Sequence, residues 1–339
     1  MKRARLFKLG MERARLFSAA SRSHTSALVS SEYLIEKLAS KDSTVKVIDG
    51  SYFMPAAGID ANKKFLDARI PGAVRFDIDD VSDKTKDLPH MFPSPEVFAD
   101  AVGAMGISEN DEIVVYDQQG LFSAPRVWHT FQVFGCKNVK VLDGGLAYWH
   151  HQGLPVDSGE PAAPTPAVFI PSLQPHLFKT LDQMVTNTIE AMQSHLIQRV
   201  KGDRQQTGAI TVVDARSAGR FRGEDPEPRA GLKSGHIPHS ISLPFTELLE
   251  TDPVTGVTHL KKPPMLLQAF LQCGLIDSNV GLQLDRPIIT TCGSGVTASV
   301  LALGLHELGF SNVAVYDGSW TEWAQTPDVP IHTSKMKES

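Results

Sequence analysis

The chain has 339 residues, 42% of them hydrophobic and 21% charged, with a formal net charge of −5. That length exceeds what one hydrophobic core usually fills, so two domains are expected, while the mild acidity gives no reason to expect nucleic acid or an acidic membrane surface as a partner. No apolar run approaches the roughly 20 residues of a membrane span, and the three cysteines, Cys136, Cys273 and Cys292, make neither a disulfide framework nor a zinc motif.

The chain opens with a segment of different character. Residues 1–29 carry seven Lys/Arg and a single acid, Glu12, and are rich in serine. A basic, acid-poor stretch that is amphipathic at helical spacing is the composition of a mitochondrial transit peptide. The mitochondrion is therefore the expected address, with the cytoplasm as a second. The repeated "MKRARLF…MERARLF" leaves Met11 as an alternative start.

From residue 45 the pattern becomes that of alternating strands and helices. "VKVIDGSYF" is a β-branched strand running into a turn, followed by "ARIPGAVRFDIDD" at 68–80, "LPHMFP" at 88–93, and "EIVVYDQQGLFSAPRVWHTFQVFGCKNVKVLDGGLAYW" at 112–149. A connector with six prolines spans 153–176 and interrupts any regular element. The pattern then repeats: "ITVVDARSAGRF" from 210, "GHIPHSISLPFTE" at 235–247 and "RPIITTCGSGVTASVLALGLHELGFSNVAVYDGSWTEW" at 286–323. This predicts an α/β protein of two like-folded tandem domains, each a mainly parallel sheet with helices on both faces. The expected boundaries are 30–155, a Pro-rich linker at 156–176, and 177–332.

The long segments align without a gap at an offset of 174 residues, which sets Cys292 against Gln118, Gly293 against Gln119 and Gly295 against Leu121. Only the second copy has a cysteine among paired glycines, so the second domain is expected to carry the chemistry and the first to act as scaffold or lid. Cys292 follows a buried strand, where ligands of open α/β sheets bind. Gly293 and Gly295 allow successive N–H groups to curl inward as an anion nest, and the helix expected to begin near Val296 adds its positive end. Such surroundings favour a thiolate and make its sulfur nucleophilic. Cys136 and Cys273 lack them and read as structural. His236 and His239 are close, but without further ligands they suggest no metal site.

The stretch "AGRFRGEDPEPRAG" at 218–231 offers Arg220, Arg222 and Arg229, residues suited to forked recognition of a carboxylate, unless they merely balance Glu224, Asp225 and Glu227.

"CGSGVTA" at 292–298, "GHIP" at 235–238 and the tandem repeat together resemble the two-domain rhodaneses from about residue 28 onward, and among them the branch that takes sulfur from 3-mercaptopyruvate. The resemblance implies Cys292 as nucleophile, Arg220 and Arg229 as the carboxylate pair, and a relay of Ser294, His90 and Asp79. It also implies a loop from Gly293 through Gly295, Val296 and Thr297 that holds the persulfide, and no metal or organic cofactor. The partners it implies are a small-molecule sulfur donor and a thiol acceptor such as thioredoxin, or cyanide.

Thiosulfate-preferring members carry Arg and Lys after the cysteine. Gly293 and Ser294 stand there instead, which disfavours a dianionic donor. A thiosulfate:cyanide sulfurtransferase is the same-class alternative, and a non-catalytic rhodanese-like binding module the alternative outside it. A cysteine phosphatase would need arginine where Ala298 stands.

Overall fold

The structure, a computed structural model, describes residues 25–40, 44–201 and 208–333. The leader expected at 1–29 thus lies mostly outside the described residues. Its last two positions, Leu28 and Val29, form the first strand.

The first half contributes β1 (Leu28–Val29), β2 (Val45–Asp49), β3 (Val74–Arg75), β4 (Glu112–Tyr116) and β5 (Val139–Leu142), paired in parallel in the order β1-β5-β4-β2-β3. In the second half come β6 (Phe178–Lys179), β7 (Thr211–Asp214) and β8 (Ile241–Ser242), then an antiparallel hairpin of β9 (Leu249–Thr251) and β10 (Thr258–Leu260). β11 (Ile288–Thr291) and β12 (Val313–Tyr316) complete a second parallel sheet in the order β6-β12-β11-β7-β8. Strand for strand the two orders are the same. Among the described residues the hairpin has no counterpart in the first half.

Five helices connect the first sheet: α1 (Ser31–Ala39), α2 (Ala61–Asp67), α3 (Pro95–Ala104), α4 (Ala124–Val133) and α5 (Gly145–His151). Five serve the second: α6 (Leu181–Lys201), α7 (Ala218–Arg222), α8 (Pro263–Gln272), α9 (Ala298–Glu307) and α10 (Ser319–Gln325). Alternation along the strands sorts them into layers. In β2, Val47 faces a cluster with Leu34, Phe65 and Trp149 on the outer side, whereas its neighbour Ile48 faces inward. Val212 and Val213 of β7 divide the same way, the outer cluster there holding Met184, Trp320 and Trp323.

The inner faces of both sheets share one continuous core. It runs from Phe98 and Phe131 in the first half to Leu266, Leu301 and Leu305 in the second, with α4 packed against α9. Phe98 stacks on Phe134 at 4.1 Å, and burying each such ring contributes about 1.5–3 kcal/mol. The proline-rich connector straps this assembly: Phe169 is buried against Phe98, and Ala167 and Ser172 donate N–H bonds to Gly103 and Phe134. None of the described helices is long and apolar enough to cross a membrane.

Candidate active site

Cys292 follows β11 directly, and Ala215 to Ser217 follow the adjacent β7. Between these strands the sheet order reverses, so their carboxyl ends open a crevice. A cavity of about 230 Å³ fills it. Cys292, Gly293, Ser294, Val296 and Thr297 form its floor, Arg216, Arg220 and Arg229 one wall, and Tyr52, Met54 and Phe122 of the first half the other. Residues of both halves therefore line the cavity.

Strand pairing corrects the gapless alignment. Ile113 of β4 lies opposite Val139, and Ile288 of β11 lies opposite Val313, so the strands match at an offset of 175. The following helices, α4 and α9, match at 174. The first loop therefore contains one extra residue, and Asp117, not Gln118, stands in the place of Cys292. Hydrogen bonding agrees: Leu146 N–H donates to the Asp117 carbonyl as Trp320 N–H donates to that of Cys292, both at 3.0 Å.

This equivalence shows what the loop is built to hold. The buried Asp117 carboxylate accepts N–H bonds from Gln119, Phe122, Ser123 and Ala124 at 2.8–2.9 Å. The first half thus has an anion nest occupied by its own side chain. In the second half a cysteine replaces the aspartate, and the N–H groups of Gly293 to Thr297 donate to nothing among the described residues. Their natural acceptor is an anion on or beyond Sγ.

The second copy of the loop is clasped by the start of α10. Trp320 and Thr321 N–H groups donate to the carbonyls of Cys292 and Gly293 at 3.0 and 2.9 Å, and the Thr321 hydroxyl adds a 2.6 Å bond to Gly293. These bonds turn the carbonyls away from the nest. Ser319 is buried in the left-handed region at φ 50°, where its hydroxyl accepts the Cys292 N–H at 3.2 Å and donates to Tyr316 at 2.8 Å. Helix α9 begins at Ala298, slightly later than the sequence suggested, because Gly295 at φ 81° must first complete the turn.

On the wall, Arg220 donates to the buried Glu227 carboxylate, which also holds Arg216 at 2.8 Å. Arg216, over the Trp320 ring and paired with Asp214 at 2.6 Å, is fully buried and was missed in the sequence. Arg222 pairs with Glu224 at the surface and does not line the cavity. Arg229 has no ion pair or hydrogen bond among the described residues, and its field reaches Tyr52 and Asp79 across the cavity. Of the three cavity arginines, Arg220 and Arg229 lie over Gly293: a Cβ there would sit 3.3 Å from Arg220 Nη2 and 4.0 Å from Arg229 Nη1. A methyl there would press on Arg220 and meet Arg229 in ordinary contact.

Of the expected relay, the structure brings two members together. His90 Nδ1 lies 2.6 Å from Asp79 Oδ1, and the ring beside it holds the Asp79 carboxyl below its ordinary range. His90 packs edge-on against Tyr52 and is itself left-handed at φ 60°. Its Nε2 is buried without a partner, and no hydrogen bond joins it to Ser294. His90 and Asp79 therefore sit behind Tyr52 rather than on the cavity wall. The "GHIP" motif is architectural: His236 stacks on Phe221 at 3.8 Å and bonds its carbonyl. Burial pushes the Cys136 thiol up to about 12 and raises that of Cys273, consistent with structural roles.

The rhodanese-like domain family matches this chain twice, over residues 30–152 and 197–326. The chain is 42% identical to 3-mercaptopyruvate sulfurtransferase of Rattus norvegicus, over 88% of its length and 91% of the relative's. It is 38% identical to thiosulfate/3-mercaptopyruvate sulfurtransferase 1, mitochondrial, of Arabidopsis thaliana, over 96% and 83%. Among solved structures, the 3-mercaptopyruvate sulfotransferase SseA of Escherichia coli superposes with a TM-score of 0.71 at 33% identity, covering 87% of this chain and 99% of that one. With the doubled fold, the nest and the cysteine in it all on one chain, this protein belongs to the rhodanese family, with two rhodanese-like domains in tandem.

Proposed function

We propose that this protein is a sulfurtransferase that moves sulfur from 3-mercaptopyruvate through a Cys292 persulfide to a thiol or cyanide acceptor and releases pyruvate. The observation that carries the reading is Cys292 beneath two arginines in a nest of undonated N–H groups, with no side chain at Gly293 to press on Arg220. The Cys292 thiolate attacks the donor sulfur. The donor's C–S bond breaks, its electron pair passes to the departing pyruvate enolate, and a proton completes pyruvate. Arg229 and the outer edge of Arg220 hold the donor carboxylate, while N–H groups from Gly293 to Ala298 and the Thr297 side chain hold the persulfide anion. An acceptor thiolate or cyanide then takes the outer sulfur, and the Cys292 thiolate leaves. A thioredoxin-like dithiol is a suitable acceptor.

His90, with its unpartnered Nε2, is the group that Ser294 is proposed to meet once a donor fills the cavity, completing a relay to Asp79 for the enolate proton. The working units are residues 30–155, with Leu28–Val29 paired onto the first sheet as β1, and 177–332, joined by 156–176. Because residues 26–29 are tied into the fold, the mitochondrial leader is the basic segment ahead of them rather than the whole of 1–29, in keeping with the name of the Arabidopsis relative.

Pyruvate release from 3-mercaptopyruvate and turnover of thiosulfate, each with a thiol acceptor, test the reading on the wild type and Cys292→Ser. Preference for mercaptopyruvate, abolished in the serine variant, is expected. Preference for thiosulfate would overturn the donor assignment, and turnover surviving in Cys292→Ser would overturn the nucleophile.

A further inference from the structure

A charged side chain from the first half lies directly under the catalytic loop, and neither the motif nor the substrate cavity includes it. Arg126 on α4 is 1% exposed. Its Nη2 donates to Asp317 Oδ1 at 2.6 Å and to the His90 carbonyl at 2.5 Å, and its guanidinium lies 3.8 Å over the Phe92 ring. Asp317 in turn accepts the Phe92 N–H at 2.8 Å, so the cluster is closed on that side. The other end is not: Nη1 is buried with no hydrogen-bond partner. That nitrogen would stand 2.8 Å from a Cβ at Gly295, and the Asp317 carbonyl 3.0 Å from it.

We propose that Arg126 is a positioning residue for the sulfur-transfer step, its guanidinium serving as the anvil against which the left-handed turn at Gly295 is pressed. Its reach across the interface explains how a half without a nucleophile shapes the half that has one. Three contacts fix the guanidinium plane, and the remaining nitrogen fills the space beneath the turn. The loop N–H groups cannot then sag away from Sγ. The same guanidinium holds the His90 carbonyl, so the loop and the His90–Asp79 pair are referred to one point. This inference rests on the proposed function for the identity of the reaction, but not for the geometry.

Lysine at this position can reach Asp317 but cannot also bond His90 and support Gly295. Arg126→Lys is thus expected to keep a near-native melting temperature, to lower kcat for 3-mercaptopyruvate about 10- to 100-fold, and to leave KM within about twofold. Arg126→Met is expected to lose more. Loop exchange gives a reading that needs no donor: the Trp320 and Thr321 N–H groups, which donate to the Cys292 and Gly293 carbonyls, should exchange faster in Arg126→Lys while β11 stays protected. An Arg126→Lys protein with wild-type kcat, or with loop exchange unchanged, would overturn the proposal, as would a change confined to KM. Absence of 3-mercaptopyruvate turnover in the wild type would instead count against the proposed function, and the exchange measurement would still decide the role of Arg126.

Discussion

Asp117→Asn tests, in the half without a nucleophile, whether the loop after the fourth strand is built around an anion. The substitution keeps shape and removes charge. Three N–H groups, from Phe122, Ser123 and Ala124, converge on Oδ2, and that of Gln119 meets Oδ1. An asparagine can point its one oxygen at the group of three, which weakens each from a charge-assisted to a neutral bond at about 1 kcal/mol apiece. Its NH₂ then faces the Gln119 N–H, which forfeits the fourth bond and costs about 1.5–3 kcal/mol more. The total is about 4–6 kcal/mol. For one cooperative unit of 339 residues the conversion is about 1.4 °C per kcal/mol, so the melting temperature should fall by about 6–8 °C. Differential scanning fluorimetry reads this directly, with urea unfolding as a second measure. Turnover well below the melt should change little, because of these donors only Phe122 reaches the cavity. A fall of less than about 2 °C would mean the nest does not require charge, and the matching argument for Cys292 would go with it.

Other outcomes follow from the wall of the cavity and from burial. Arg229→Gln should raise KM for 3-mercaptopyruvate about tenfold or more through loss of a charge-assisted contact, with thermal stability unchanged because Arg229, on the cavity wall, has no ion pair to lose among the described residues; an unchanged KM would remove it from the carboxylate site. Glu227→Gln should cost about 3–5 kcal/mol in urea unfolding, since it leaves the fully buried Arg216 half-compensated; a cost below about 1 kcal/mol would show that Asp214 suffices. Burial holds the His129 imidazole at about 3. Between that value and about 6.5 the unfolded chain binds a proton that the folded chain refuses. The stability from this neutral ring is thus complete above about pH 6.5 and is lost toward pH 3, at up to about 1.4 kcal/mol per pH unit. His129→Gln should flatten that slope in urea titrations between pH 4 and 6; an unchanged slope would refute the assignment.

Much of this was legible in the sequence because the features were periodic or punctuated. β-branched runs marked the strands, and repetition exposed the two halves. The small residues after Thr291 marked the loop that holds the nucleophile. What escaped notice depended on pairing rather than pattern. A gapless count cannot see one extra residue between a strand and a helix, so Asp117 was set one place off and its occupation of the nest was hidden. Glu227 looked like one more acid in a charged loop, although it is the buried hinge between Arg216 and Arg220. Arg126 sits in an apolar helical run, and only the arrangement of the halves carries it beneath Gly295. The gap between His90 and Ser294 is likewise a matter of distance across an interface, which residue type does not encode.

The core that passes unbroken between the two sheets has a thermodynamic consequence. Phe131 and Leu301 belong to the same apolar cluster, and neither half could shed the other without exposing it to water. A chain that reads as two repeats should therefore absorb heat in a single calorimetric peak, with van't Hoff and calorimetric enthalpies in agreement. Duplication doubled the fold but left one cooperative unit, and mutations in the silent half should be felt at the melting point as fully as those beside the cysteine.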